Sequence, residues 1–227
     1  MKKIENNKIK EMYIKKYKLN EVFTNDMRGF MELLCFDRNE FLSKQNEKVD
    51  YLYFIVKGKL KVFKTLKNGK NILLSFNYPL MMLGDLELMN SEGADANIQV
   101  IEDAYCIALH VDKVQEILLN DIKYLRYACN SISKKLKDTS KNSAINLLYP
   151  LENRLASYML AMKSHVNGKL VFEENLTEIA ELLGTSYRHL LRTLEAFIKK
   201  GALEKTNRSY EIIDENLLII LADDLYK

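Results

Sequence analysis

Residues 112–148 contain neither glycine nor proline, and their seam positions recur in a strict 4-3-4-3 spacing. Leu118, Ile122, Leu125, Cys129, Ile132 and Leu136 keep that rhythm, and Thr139 and Ser143 extend it with polar side chains. Such a stretch reads as one long helix whose narrow apolar seam calls for a second helix. Lys123, Arg126, Lys134, Lys135 and Lys137 occupy its other faces, so the seam predicts pairing of two copies of the chain. The helix also divides the sequence into three expected parts: 1–111, the dimerisation helix 112–149, and 150–227.

Ahead of the helix, residues 1–35 show helical spacing through Ile9, Met12, Tyr13 and Tyr17, then Phe30, Leu33 and Leu34. From about residue 40 to 110 the pattern changes to short strands. Tyr51–Val56 is followed by Gly58 and by Leu60, Val62 and Phe63. Asn68-Gly69, a strong hairpin signal, precedes Ile72–Phe76, and further strands are expected at Ala96–Ile101 and Ala104–Leu109. Strands this short and this regularly spaced predict a small roll. The expected class is α+β: an N-terminal β-roll, a long dimerisation helix and a C-terminal winged helix-turn-helix.

That last element rests on local chemistry. After Pro150, the residues Leu151, Leu155, Tyr158, Met159 and Met162 mark an amphipathic helix, and Asn167-Gly168 turns into a strand at Lys169–Phe172. Asn175 followed by Glu178 resembles a capping box, Gly184 ends the helix, and Ser186 caps a second one running to about Lys200. Two helices crossing at a short turn need a small residue at their contact, a residue tolerant of positive φ in the turn, and an apolar residue closing the core. Ala180, Gly184 and Leu190 meet these needs; Thr193, at an expected apolar position, fits less well. Ala202–Lys205 and Tyr210–Ile213 then form a wing with Lys205 and Arg208 near its tip.

Charge sharpens the reading. The net charge is only +3. Residues 1–18 hold seven lysines and two glutamates, a net +5, whereas residues 151–227 hold ten basic and twelve acidic side chains, a net −2. Within the latter, residues 186–208 carry six basic and two acidic side chains, a net +4, which is where phosphate would be met. Arg188 and Arg192 are four apart and share a helix face that can offer guanidinium forks to guanine edges or phosphate. The candidate DNA contacts are Thr177, Ser186, Tyr187, Arg188, His189, Arg192, Lys205 and Arg208.

Other classes find little support. Cys35, Cys106 and Cys129 are scattered and read as reduced thiols, and His110, His165 and His189 form no ligand pair. No iron–sulfur, haem or other metal site is expected, and a metal-dependent enzyme on the roll lacks its ligands. A helix-turn-helix serving a protein partner conflicts with the basic segment 186–208. No apolar run reaches membrane-spanning length and the charged N-terminus lacks a signal peptide, so a cytoplasmic location is expected.

The sequence resembles the Crp/Fnr family of bacterial transcription regulators over about residues 20–220. The resemblance lies in Tyr51-Leu52-Tyr53-Phe54-Ile55-Val56-Lys57-Gly58, in Gly69 to Ser75, in Leu83-Gly84-Asp85 and in Arg154-Leu155-Ala156. Gly184-Thr185-Ser186-Tyr187-Arg188-His189-Leu190-Leu191 points to its YeiL-like branch. The resemblance implies a cyclic-nucleotide-binding-like roll, a homodimer and binding to a palindromic double-stranded operator, with RNA polymerase as a further partner if the protein activates. It implies an effector pocket at Gly84, Asp85, Asp95, Ala96, Thr139 and Ser140. Nucleotide-binding members carry Gly-Glu and Arg-Ser pairs where this chain has Gly84-Asp85 and Asp95-Ala96, and Leu80 replaces a usual glycine after Pro79. A carboxylate facing a cyclic phosphate repels it, which argues against cyclic AMP. Three readings of regulation follow: another small-molecule effector, a constitutive regulator with a degenerate pocket, or a redox-responsive one. Of the family's Arg, Glu and Arg base contacts, Tyr187, Arg188 and Arg192 keep only the last arginine, so a different operator sequence is expected.

Overall fold

The computed structural model describes residues 1–90, 93–207, 209–223 and 225. The chain forms two compact units, one of Met1–Lys64 and Asn77–Asp138, the other of Thr65–Phe76 and Thr139–Lys227.

In chain order the N-terminal part forms β1 (Lys2–Lys3), α1 (Asn7–Lys16), β2 (Met31–Phe36), β3 (Phe41–Ser43), β4 (Tyr51–Thr65), β5 (Asn71–Asn77), β6 (Met82–Leu83), α2 (Asp85–Asn90), β7 (Asn97–His110), α3 (Val111–Leu119) and α4 (Ile122–Leu148). The described strand pairings are antiparallel, in the order β1-β2-β7-β4-β5, with β3 on β7 and β6 on β4. Helix α4 continues into the second unit, to which all of β5 except Asn77 belongs.

Three expectations are corrected here. Residues 31–36 form a strand, not the end of a helical stretch, and pair with β7 from Met31↔Leu109 to Phe36↔Ala104. Leu33 packs with Phe54 and Ile107 on one side of the sheet, Leu34 with Ile55 and Cys106 on the other. A strand buried on both faces loses the alternation that would reveal it. Next, the separate short strands expected on either side of Gly58, and of Glu102-Asp103, are each one long strand. Pairing between β4 and β7 shifts register between Ile55 and Leu60. There Gly58 adopts φ +94°, and a Cβ would lie 2.6 Å from the Ala104 Cα. Only glycine fits that approach. Gly58→Ala is expected to cost about 2 kcal/mol, read as a lowered calorimetric midpoint; an unchanged midpoint would mean the strands part at this bulge.

The third correction concerns the long helix. It breaks after Leu119, and Asp121 starts a new one. The Asp121 carboxylate accepts the amides of Lys123 (2.9 Å) and Tyr124 (3.2 Å), capping α4, and also the amide and hydroxyl of Thr24, both at 2.7 Å. Leu118 therefore belongs to α3, is fully buried (0 % exposed), and packs in the roll's core with Phe54 and Leu109 instead of joining the seam. Beyond the break, α4 has two stripes. Tyr124, Ala128, Ser131 and Lys135 lie along the roll, whereas Ile122 (61 % exposed), Cys129 and Leu136 (70 % exposed) are bare, with Leu125 and Ile132 half-buried between.

The second unit comprises α5 (Leu151–Met162), β8 (Ser164–Val166), β9 (Lys169–Phe172), α6 (Leu176–Leu182), α7 (Tyr187–Lys199), β10 (Leu203–Lys205), β11 (Tyr210–Ile212) and α8 (Glu215–Ala222). Its sheet runs β10-β11-β9-β8. Asn167 and Gly168 both take positive φ, 51° and 79°, as a two-residue hairpin turn requires. Helix α8, capped by Asp214 and packed on α5, was not anticipated: a short apolar run shows no period that separates helix from strand. The tip of the β4–β5 hairpin completes this unit. The Asn142 side-chain amide donates to the Leu74 carbonyl at 2.8 Å, and the Phe76 ring lies 5.8 Å from that of Tyr158, which meets Phe172 edge-on. The Tyr158 hydroxyl is buried with no partner among the described residues, and burial raises its pKa.

Candidate nucleic-acid interface

The α6–α7 pair is fixed by local hydrogen bonds. The Asn175 side chain accepts the amides of Thr177 (2.9 Å) and Glu178 (3.4 Å), and Ser186 Oγ accepts that of His189 (3.2 Å). Between them Gly184 takes φ +59°, and the Thr185 amide returns to the Ala180 carbonyl at 2.8 Å, closing the end of α6. Arg154 of α5 donates to the Leu183 carbonyl at 2.5 Å, satisfying another end of that helix. Ala180 and Leu190 are buried at the crossing. Thr193 is buried too, and its hydroxyl donates to the His189 carbonyl one turn back (3.0 Å), which resolves its misfit.

With the frame fixed, α7 exposes Tyr187, Arg188, His189, Arg192, Glu195 and Lys199. Neither Arg188 nor Arg192 has a hydrogen bond or ion pair among the described residues, so both guanidinium groups are unspent. Lys200, by contrast, pairs with Glu152. The positive end of the α7 dipole lies at the same edge as Ser186 and Tyr187, and favours an anion there. Thr177 is exposed in the first turn of α6 and Lys205 at the end of β10; Arg208 lies outside the described residues.

The residues expected to form an effector pocket divide between the units. In the first, Gly84 takes φ +85°, and a Cβ would fall 2.6 Å from the Tyr51 carbonyl oxygen. Asp85 follows it, only 1 % exposed, and accepts from Lys135 Nζ at 2.5 Å and Ser131 Oγ at 3.4 Å. Asp95 is exposed and paired with Lys64 at 2.6 Å; the Ala96 carbonyl meets Ser43 Oγ at 3.5 Å. Asp95, the carboxylate expected to face a cyclic phosphate, is thus held in an ion pair with a lysine. In the second unit, Thr139 and Ser140 are exposed on α4. Lys135 and Ser131 were not singled out from sequence; their alignment with Tyr124 and Ala128 on one helix face was the available signal. Among the described residues no group of three or more His, Cys, Asp or Glu could hold a metal ion, and no helix is long and apolar enough to cross a membrane. Cys35 is half-buried and Cys129 exposed; Cys106 is fully buried, which pushes its thiol pKa up.

An antiparallel roll followed in the same chain by a winged helix-turn-helix defines a class: transcription regulators that read DNA through a C-terminal helix. Residues 33–121 match the family model of the cyclic nucleotide-binding domain, and residues 153–219 that of the Crp-like helix-turn-helix domain. The chain belongs to the Crp/Fnr family of transcription regulators, which are not enzymes. It is similar to the regulatory protein YeiL of Escherichia coli O157:H7, with 31% identity over 202 residues covering 89% of this chain and 90% of that one. It is 23% identical over 189 residues to the CRP-like cAMP-activated global transcriptional regulator of Mycobacterium tuberculosis H37Rv, covering 81% and 84% of the two chains. Among solved structures, a CRP-family transcriptional regulator from Thermus thermophilus shares the fold with a TM-score of 0.67 at 17% identity, covering 86% of this chain and 98% of that one.

Proposed function

We propose that the protein is a homodimeric regulator that binds a palindromic operator through α7 and does not respond to cyclic AMP. The observation that carries the DNA reading is the pair of unspent guanidinium groups, Arg188 and Arg192, on the exposed face of a helix that is capped and braced at its turn. A two-fold dimer requires matching half-sites. The dimer reading rests on Ile122, Cys129 and Leu136, exposed along α4 beside its roll-facing stripe, with Leu125 and Ile132 half-buried between them.

The Mycobacterium tuberculosis relative is named for activation by cAMP. In this chain Asp95 and Asp85 are already paired, with Lys64 of β4 and Lys135 of α4. A cyclic phosphate drawing on either lysine would have to break its pair and leave a carboxylate facing it, which supports an effector other than cyclic AMP or none.

Binding of the purified protein to the DNA upstream of its own gene, against random DNA at several salt concentrations, tests the reading. A strong preference with a steep salt slope is expected; equal, weak binding to both would overturn it. Copper-phenanthroline oxidation of the wild-type chain is expected to give a disulfide-linked dimer that Cys129→Ser abolishes and Cys35→Ser does not. A dimer in light scattering that fails to cross-link would move the interface off this face of α4.

A further inference from the structure

Asp85 poses a chemical problem that the DNA reading leaves unused. A carboxylate 1 % exposed cannot stay ionised without a close cation or several donors. It sits in the first turn of α2, directly after Gly84, which takes φ +85°. Its donors are Lys135 Nζ at 2.5 Å and Ser131 Oγ at 3.4 Å, one turn apart on the same face of α4. Tyr124, on that face too, is fully buried, and its hydroxyl finds no partner among the described residues. Burial, and then the Asp85 charge, raise the pKa of that hydroxyl, which stays neutral beside the carboxylate.

This polar cluster lies at the expected effector position, yet what fills it is a side chain of the helix that the effector would have to move. We infer that Asp85 is a primary-ammonium site, that Lys135 occupies it from within the chain, and that this occupancy sets α4 for DNA binding without an added effector. The inference rests on the DNA-binding reading above for its last clause only. Because a buried carboxylate stripped of its cation is far worse than a paired one, removing Lys135 alone creates a demand for a free ammonium ion.

Lys135→Ala in the full-length chain should create that vacancy. n-Propylammonium chloride is then expected to raise the melting temperature of the variant in a concentration-dependent way. Tetramethylammonium chloride and sodium chloride at matched ionic strength should not, since neither has an N–H to donate. Operator affinity of Lys135→Ala is expected to fall by at least about fivefold, the lower end of ordinary inter-site coupling, and to recover with n-propylammonium. Wild type should respond to none of the three salts. No selective rise in melting temperature would overturn the ammonium site; wild-type operator affinity in Lys135→Ala would overturn the coupling. If Lys135→Ala does not fold, Asp85→Asn carries the test. There the stem of Lys135 can reach solvent, affinity should still drop at least about fivefold, and the amine should not restore it; unchanged affinity, or rescue, would overturn the inference. Failure of the wild-type chain to prefer its operator would remove the DNA reading, while the melting-temperature arm would still decide the ammonium site.

Discussion

Alanine at both Arg188 and Arg192 is expected to lower operator affinity by about a hundredfold or more while leaving the fold intact. Each bidentate guanidinium contact to a base carries about 1–3 kcal/mol of discrimination, and every 1.4 kcal/mol is about tenfold in affinity. Neither arginine has a structural partner among the described residues, so their loss leaves no buried group unsatisfied, and the melting temperature should stay within a degree or two. The single variants separate two roles. An arginine that reads a base should relax sequence preference at one operator position, whereas one that meets phosphate should weaken binding to all sequences equally and flatten the salt slope. Anisotropy with operator and scrambled DNA at two salt concentrations measures both. Unchanged affinity in the double variant would take α7 out of the groove.

The second large effect falls on stability. Asp121→Ala removes the cap of α4 and the acceptor for the Thr24 amide and hydroxyl together. With about 0.5–2 kcal/mol for a cap and more for charge-assisted bonds on the other side, a loss of about 3 kcal/mol is expected. The carboxylate also makes the fold acid-sensitive. Burial alone would raise its pKa, but the donors from Thr24, Tyr124 and Lys123 outweigh burial and hold it below the usual carboxylate value. A depressed folded pKa stabilises the native state above the unfolded value of about 3.9, and that stabilisation disappears as pH falls through the folded pKa. Denaturant midpoints for wild type and Asp121→Asn should therefore converge as the pH falls below about 4. A constant gap down to strongly acid pH would show that the carboxylate charge contributes nothing.

What could be read in advance was mostly local. The caps Asn175 and Ser186, the Gly184 turn, the Asn167-Gly168 hairpin and the Ala180–Leu190 crossing follow from chemistry within a few residues, and each appears where expected. The break at Asp121 was hidden because Leu118 and Ile122 are four apart whether or not a helix connects them; only Thr24, 97 residues away, shows why the carboxylate stops one helix and starts another. The pairing of Asp85 with Lys135 spans 50 residues and could not be inferred from charge, since the sequence presented an acidic residue and one lysine among several. Strand β2 was concealed by burial on both faces, and Thr193 seemed out of place until its hydroxyl proved to be absorbed by its own helix.

The hairpin tip has a consequence for modularity. The polypeptide passes from one compact unit to the other at Lys64–Thr65, at Phe76–Asn77 and at Asp138–Thr139. The DNA reader is thus not a contiguous stretch of sequence. A fragment starting at Thr139 would lack Phe76 and Leu74, leaving the Tyr158 ring and the Asn142 amide without their partners. Grafting this reader onto a foreign sensor at the helix alone would transplant an incomplete core, so a working chimera has to carry two insertions: the helix-borne C-terminal segment, and a twelve-residue hairpin tip, Thr65–Phe76, spliced into the recipient's own strands.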